Sequence, residues 1–418
     1  MLLPFSTKSG HISLIDAFFT STSAVCVTGL IVQDTATYFT RAGQTIILVL
    51  FQLGGLGIMT FSTLVLLVAG KKISIKDSIL IREGYAPYMQ KNVKSLIKNI
   101  FFYTVAIEVA GTLSFFIRWH KIFSAPKALF YSVFHSVSAF CNAGFSVFCD
   151  SFESFRSDSY VNITLMVLIV LGGLGFLVIN EIIRIFFHKR GKGKIQISLH
   201  AKLVLSTTLF LLFFSFVVFT ALEWNNSLKD FTLKEKIFSS LFQIITPRTA
   251  GFNTMSLGSL SLGTVFLLIL LMFIGASPGS TGGGVKTSTV GVVFGFIRSK
   301  ITARESINIF YRTLPLDLII KALTIITLAI CVICFSSFIL FISQPAVGMK
   351  EVFFEVFSAF GTVGLSLGLT QNLNVLGKIV IILTMYTGRI GPLTLLYAFS
   401  RRRPFGRYEY VEESIMIG

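Results

Sequence analysis

The sequence predicts an all-α polytopic membrane protein: four pseudo-symmetric helix–pore-loop–helix repeats around one central pore, the first repeat lacking its leading helix. Three observations predict this. Of 418 residues, 53% are hydrophobic and 13% charged, and the mean hydropathy is +0.80, whereas a soluble domain carries about 25% charged residues. Several apolar runs exceed the roughly 20 residues that cross about 30 Å of hydrocarbon. A short glycine-closed stretch, Val25-Cys-Val-Thr-Gly29, returns as Phe140-Cys-Asn-Ala-Gly144, Pro247-Arg-Thr-Ala-Gly251 and Phe360-Gly-Thr-Val-Gly364. The closing glycines lie 115, 107 and 113 residues apart, by subtraction of 29, 144, 251 and 364. A period near a quarter of the chain identifies one repeated structural unit, longer than the repeats of soluble solenoids.

The units follow in order. Repeat 1 (residues 1–72) opens on a short helix over 14–24 that only dips into the membrane, then the first stretch, then a crossing over 41–69 containing Gly54-Gly-Leu-Gly57. Only Met1–Ser6 stands where a leading crossing belongs, which points to a start further upstream or to a truncated chain. Met1-Leu-Leu-Pro-Phe5 has neither the charged start nor the apolar core of a cleavable signal. Repeat 2 (95–190) is complete: a crossing over 95–118, a short helix over 127–139, the second stretch, and a crossing over 160–187 with Gly172-Gly-Leu-Gly175. Repeat 3 (199–300) crosses over 200–222, dips over 233–245, and returns from Leu262 until Gly275–Gly284 interrupts it. Repeat 4 (313–404) crosses over 316–342, dips over 349–359 and returns over 376–399, and 405–418 forms a tail. Seven crossings result, where four complete repeats would have eight.

Non-helical backbone cannot face lipid, because each unpaired group there costs several kcal/mol. The four stretches must therefore be buried or line water, and quasi-equivalent units about one axis bring them together on it. There their carbonyl oxygens can replace the hydration shell of a monovalent cation. Glycine leaves such a pore open and reaches dihedrals that turn carbonyls inward, and the preceding short helices aim negative C-terminal ends at the ion. The candidate residues are Val27, Thr28 and Gly29; Asn142, Ala143 and Gly144; Thr249, Ala250 and Gly251; and Thr362, Val363 and Gly364.

The formal net charge of +17 does not mark a nucleic-acid protein, because its distribution alternates. Basic residues crowd one set of connections (Lys71, Lys72, Lys76, Arg82; Lys189, Arg190, Lys192; Arg298, Lys300, Arg304) and the tail (Arg401, Arg402, Arg403), while Asp150, Glu153, Asp158, Asp230 and Glu351 sit in the others. That is the positive-inside pattern, placing the basic loops and C-terminus in the cytoplasm and the chain, multi-pass, in the inner (cytoplasmic) membrane. The basic loops suit a regulatory protein or anionic lipid. Cys331 and Cys334 form a CxxC inside an apolar run without a second pair or a histidine, which reads as helix packing. No clustered carboxylates or nucleophile–base pair appear at membrane depth, which argues against an intramembrane enzyme. A secondary transporter built on helix breaks would show a twofold repeat rather than this fourfold one.

Thr22-Ser-Ala-Val-Cys-Val-Thr-Gly-Leu30, Ser138-Ala-Phe-Cys-Asn-Ala-Gly-Phe145, Thr246-Pro-Arg-Thr-Ala-Gly-Phe252 and Ala359-Phe-Gly-Thr-Val-Gly-Leu-Ser366 resemble the pore loops of the Trk/Ktr/HKT potassium transporters. Phe51-Gln-Leu-Gly-Gly-Leu-Gly57 and Gly275–Gly284 extend the likeness over essentially the whole chain, and its short termini resemble the Ktr membrane subunit most. The resemblance implies potassium as substrate, bound at the filter only, with no cofactor in this chain and sodium as an activator. It also implies homodimers, one pore per subunit and a cytosolic nucleotide-binding regulatory ring. In the family a serine in place of the first filter glycine goes with sodium permeation, so Gly29 favours potassium.

The same resemblance assigns a gate to Gly275, Ala276, Ser277, Pro278, Gly279, Ser280, Thr281, Gly282, Gly283 and Gly284 together with Arg389. Read from the residues, a polar glycine-rich break at membrane depth lines a water-filled cavity. Its Gly279 and Gly284 have phosphate-loop spacing, but Val285 intervenes before Lys286 and no soluble strand precedes it, against nucleotide binding. Arg389, in mid-crossing, needs a cavity or a partner; it reads as a gating charge or as an arginine held by helix-end carbonyls. Glu108 reads as a partner for a cation or a pore-helix amide, or as structural. Arg248 is expected to point behind its stretch, against a carboxylate, and Glu181 reads as interfacial.

Overall fold

Apolar runs of helical length dictate helices, and a computed structural model shows how they assemble; it describes residues 1–57, 93–186, 197–303 and 306–399. Four short helices, α1 (Leu14–Val25), α4 (Ala125–Cys141), α8 (Leu233–Ile245) and α12 (Met349–Gly361), precede the four stretches, each slightly longer than or equal to its expected span. Their entries carry ordinary start signals. Ser13 Oγ accepts from Asp16 N, and Thr232 with Glu235 forms a capping box. The long helices α3 (Val93–Trp119), α7 (Leu199–Glu223) and α11 (Leu316–Ser343) match the three expected leading crossings. They turn Phe102, Phe213 and Phe338 outward, the apolar faces that hydrocarbon would cover. These are the three continuous helices long and apolar enough to span among the described residues.

The return crossings differ from expectation. Rather than one interrupted crossing, all four end or break at glycine. Helix α2 (Arg41–Leu56) stops at Gly57, and the remainder of the expected crossing lies outside the described residues. Helices α5 (Ser159–Leu174) and α6 (Phe176–Phe186) bend by 105° at Gly175. Helix α9 (Leu262–Phe273) resumes after the glycine loop as α10 (Thr287–Ile301), and α13 (Val375–Ile390) breaks at Gly391 before α14 (Pro392–Phe399). Gly57, Gly175 and Gly391 share one conformation, φ 80–94° and ψ 132–139°, which side chains with a Cβ avoid. A small hairpin, β1 (Asn308–Ile309) with β2 (Arg312–Thr313), joins α10 to α11.

The helices close a ring. Return helices α2, α5 and α13 pack on their own short helices, and every return helix packs on the short helix of the next unit: α2 on α4, α5 on α8, α9 on α12, and α13 back on α1. Lys378 of α13 and Asp16 of α1 form a largely buried ion pair at 2.6 Å across that last join. Most of the expected basic connections, the ends of repeats 1, 2 and 4 at 72, 190 and 404, and the tail 405–418 lie outside the described residues.

Small residues make this packing possible. A Cβ built on Gly54, Gly172 or Gly388 would lie 2.0, 1.9 and 1.9 Å from the backbone oxygen of Val25, Phe140 and Phe360 respectively. Alanine in place of a helical glycine gains up to about 1 kcal/mol of propensity. A clash with backbone that cannot rotate away costs more, about 1–3 kcal/mol on the scale of overpacked cores. Gly388→Ala is therefore expected to lower the thermal unfolding midpoint of the detergent-solubilised protein; an unchanged or raised midpoint would contradict the close approach.

Candidate functional site

The four stretches are extended only in part. The short helices run on through Val25, Cys141 and Gly361, so that three residues end the stretch outside the helix in units one, two and four, after the cap Cys26 in the first and beginning with the caps Asn142 and Thr362 in the other two. The first of each three is left-handed: Val27 at φ 57°, Asn142 at 58°, Thr249 at 74° and Thr362 at 50°. A β-branched residue there costs of order 1–3 kcal/mol. Helix-end hydrogen bonds offset it. Val27, Asn142 and Thr362 N donate to Ala24, Ala139 and Ala359 O at 3.0–3.2 Å, and Thr28, Ala143 and Val363 N to Ser23, Ser138 and Ser358 O at 2.8 Å. That double pattern is a Schellman cap with valine, asparagine or threonine where glycine usually stands. In the third unit Ala250 N donates to Thr246 O at 2.9 Å.

A hydroxyl in the last turn of each short helix, or at the C-cap of the third, completes the anchoring. Gly29 N donates to Ser23 Oγ and Gly364 N to Ser358 Oγ, both at 3.1 Å. Ser138 Oγ donates to Phe145 O at 2.7 Å and Thr246 Oγ1 to Phe252 O at 2.6 Å. Sequence reasoning passed over these four residues. Their signal was present, a serine or threonine five or six positions before every closing glycine.

All twelve candidate residues come together. A Cβ on Gly29 would lie 2.6 Å from Ala143 O, on Gly144 3.0 Å from Ala250 O, on Gly251 2.4 Å from Val363 O, and on Gly364 2.2 Å from Thr28 O. Each closing glycine thus abuts the next strand's carbonyl and the fourth returns to the first. The twelve residues carry no charge, so the chemistry they offer is that of converging backbone oxygens. Four helix C-termini end on the same locus, adding partial negative charge.

The loop Gly275–Gly284 lies directly against this ring. Thr281 Oγ1 is 3.3 Å from Phe140 O, Gly283 N donates to Thr362 Oγ1 at 2.9 Å, and a Cβ on Gly282 would sit 2.1 Å from Thr249 Oγ1. Its backbone finds partners in the broken helices: Ser277 N with Gly173 O at 3.0 Å, Thr281 N with Gly172 O at 3.3 Å, and Gly284 N with Gly388 O at 3.2 Å. Within the loop Ser280 Oγ donates to Ser277 O at 2.6 Å, while Ala276 O accepts from Thr287 N at 3.4 Å. The Pro278–Gly279 turn packs on Gly175, Gly279 O accepting from Phe176 N at 2.9 Å. Arg389 donates through Nη1 to Thr281 O and through Nη2 to Gly54 O. It therefore holds a helix-end carbonyl, as one of the two readings drawn from sequence expects, and a carbonyl of the loop as well. Lys286 Nζ donates to Gly282 O at 2.7 Å, a second cation on the loop that sequence reasoning weighed only as a misplaced phosphate-loop lysine.

Of the readings drawn for Glu108, its contacts fit the structural one: the carboxylate accepts from Gln52 Nε2 at 3.1 Å and from Cys141 Sγ at 3.9 Å, both neutral donors, rather than meeting a cation or a pore-helix amide. Arg248 does point behind its stretch, but its Nη2 donates to the Thr208 hydroxyl at 3.3 Å rather than to a carboxylate. Glu181 accepts from Ser198 N at 3.2 Å and so secures the entry of α7. Cys331 and Cys334 are exposed on α11 instead of packed. At the start of α8, the Ser157 hydroxyl first, and then Thr232 N and Oγ1, hold the Glu235 carboxyl down to about 2.

Comparison with known proteins agrees with this architecture. The TrkH family profile, described as "Cation transport protein", matches residues 2–410. The chain is 40% identical over 403 residues to the Ktr system potassium uptake protein B of Bacillus subtilis, covering 96% of this chain and 89% of that one. It is 37% identical over 425 residues to the potassium/sodium uptake protein NtpJ of Enterococcus hirae, covering 100% and 93%. The crystal structure of the potassium transporter TrkH from Vibrio parahaemolyticus superposes with a TM-score of 0.73 at 21% identity, over 93% of this chain and 79% of that one, a likeness of fold. A ring of glycine-closed strands, short helices aimed at it and broken return helices thus stand in a chain whose sequence matches one transport family almost end to end: it belongs to the TrkH family of cation transport proteins.

Proposed function

We propose that this chain is a potassium-translocating membrane subunit whose filter is the ring of Gly29, Gly144, Gly251 and Gly364 with the two residues before each. The closed ring of neighbouring carbonyls carries the proposal. Oxygens that replace a hydration shell discriminate by number and spacing. Names of relatives that take up potassium, or potassium and sodium, support the same substrate. Sodium acts as an activator rather than as the favoured cargo, potassium moves passively down its electrochemical gradient, and no cofactor in this chain takes part.

The loop Gly275–Gly284 is the gate and Arg389 its latch, with Lys286 beside it. Positive charge under a cation filter opposes passage by Coulomb repulsion until it moves or is neutralised. The repeats 1–72, 95–190, 199–300 and 313–404 form the pseudo-fourfold frame. Basic connections and the 405–418 tail face the cytoplasm, where two copies of the chain meet a nucleotide-binding ring.

Expressed in a host lacking potassium uptake, the chain should restore growth at low potassium, more strongly with sodium and with a candidate regulatory subunit; failure under all these conditions would count against the assignment. A serine Cβ at position 29 would sit 2.6 Å from Ala143 O and displace a coordinating carbonyl. Gly29→Ser should therefore weaken potassium-over-sodium discrimination by about tenfold, equivalent to about 1.4 kcal/mol, read as sodium competition against potassium uptake. Unchanged competition would refute the filter. In liposomes, shortening the loop within Gly279–Gly283 or replacing Arg389 by alanine should raise potassium flux without the regulatory subunit. Flux no faster than wild type would remove the gate assignment.

A further inference from the structure

The four short helices differ at one equivalent place behind the ring. Thr20, His135 and Glu355 each stand nine positions before their closing glycines 29, 144 and 364, and Gln243 stands eight before Gly251, in the unit whose anchoring hydroxyl is also one position closer. All four side chains are buried. In two units the residue reaches across to the chain just past the glycine. Glu355 accepts from Ser366 Oγ at 2.7 Å and from Thr370 Oγ1, which itself lies 3.1 Å from Ser366 Oγ. His135 Nε2 meets Ser146 Oγ at 3.1 Å and accepts from Val147 N at 3.3 Å, while Nδ1 faces Tyr131 O at 2.9 Å. A carbonyl cannot donate, so Nδ1 carries the proton and Nε2 is the acceptor.

The two constructions match in detail. Ser146 and Ser366 both follow their closing glycines by two positions. Both also accept from the backbone two residues on, Phe148 N and Gly368 N, each at 3.0 Å. In the other two units Thr20 Oγ1 and both amide atoms of Gln243 find no hydrogen-bond partner among the described residues. Because the glycines abut in the order one, two, three, four and back to one, the braced units lie opposite each other.

We propose that His135 and Glu355 are a diagonal pair of positioning residues that set the cation selectivity of the ring by holding the chain immediately beyond Gly144 and Gly364; this rests on the reading of the ring as a filter. A binding constellation works only when its groups are held within about 0.5 Å by a supporting shell. Helix-end hydrogen bonds, Schellman caps in units one, two and four, fix each strand at its helix end, and these braces fix two of them at the far end. Neither residue touches the ion. Each acts through a serine on the strand it steadies.

The test uses the full chain in liposomes and reads sodium competition against potassium uptake separately from maximal rate. Glu355→Ala, Ser366→Ala and their combination should all weaken discrimination by a similar three- to tenfold, about the scale of one buried hydrogen bond. His135→Ala and Ser146→Ala should behave likewise. Glu355→Gln, whose amide oxygen still accepts from Ser366, should keep the wild-type ratio, as should Thr20→Val. Slower uptake at an unchanged ratio in Glu355→Ala and Ser366→Ala means a packing role and overturns the proposal. Should Glu355→Ala not assemble, Ser366→Ala decides alone. Gly29→Ser in the same assay separates the two claims. If it shifts the ratio and the brace variants do not, the braces fail and the filter stands; if it does not shift the ratio, the filter reading fails and the braces with it.

Discussion

Backbone that is not helical has to find all its hydrogen bonds inside the protein when it lies at membrane depth, and this chain is built around meeting that demand four times. Each short helix ends in a left-handed residue whose neighbours donate back into the helix, and a hydroxyl from the last turn or the C-cap reaches the closing glycine or the residue just after it. The loop Gly275–Gly284 meets the same demand differently. It has no helix of its own to donate into, so it borrows carbonyls from Gly172, Gly173 and Gly388. Those carbonyls are available because α5 breaks immediately beyond Gly173 and α13 breaks just after Gly388. The helix breaks and the loop are therefore parts of one arrangement.

Close approach is the second constraint, and it explains the glycine content better than flexibility does. Gly54, Gly172 and Gly388 let three return helices lie on the carbonyl oxygens that end the short helices, within distances no Cβ could occupy. That contact holds each strand at the ring's level. The cations follow the same logic: Arg389 and Lys286 rest on the loop and helix-end carbonyls Thr281 O, Gly54 O and Gly282 O. Two cations on the loop thus rest against an uncharged ring of oxygens.

Much of this was legible in the chain. The recurring glycine, its preceding short apolar helix and the following run identified all four strands, and the structure brings every one of the twelve residues to a single place. Other features were not legible. Gly-Gly-Leu-Gly within an apolar run reads as helix, since propensity sees only a loss of about 1 kcal/mol per glycine; the break at Gly175 appears when the neighbouring loop takes the freed carbonyls. Arg248 seemed to need a carboxylate, but Thr208 on α7 is what the fold brings alongside. Ser23, Ser138, Thr246 and Ser358 were plain in sequence as a recurring hydroxyl, and only their bonds to the strands gave them a reason.

By itself the sequence determined the membrane class and the recurrence of the glycine-closed stretch, because hydropathy and glycine spacing are local properties of the chain. Tertiary structure alone decided what those strands meet. The closure of the fourth unit on the first through Gly364 with Thr28 O and Lys378 with Asp16, the seating of the loop, and the buried hydrogen bonds of His135 and Glu355 all join residues far apart in sequence or on separate backbone turns. Such pairings follow from which backbone groups a neighbouring helix leaves unsatisfied, and that is settled only once the helices have packed.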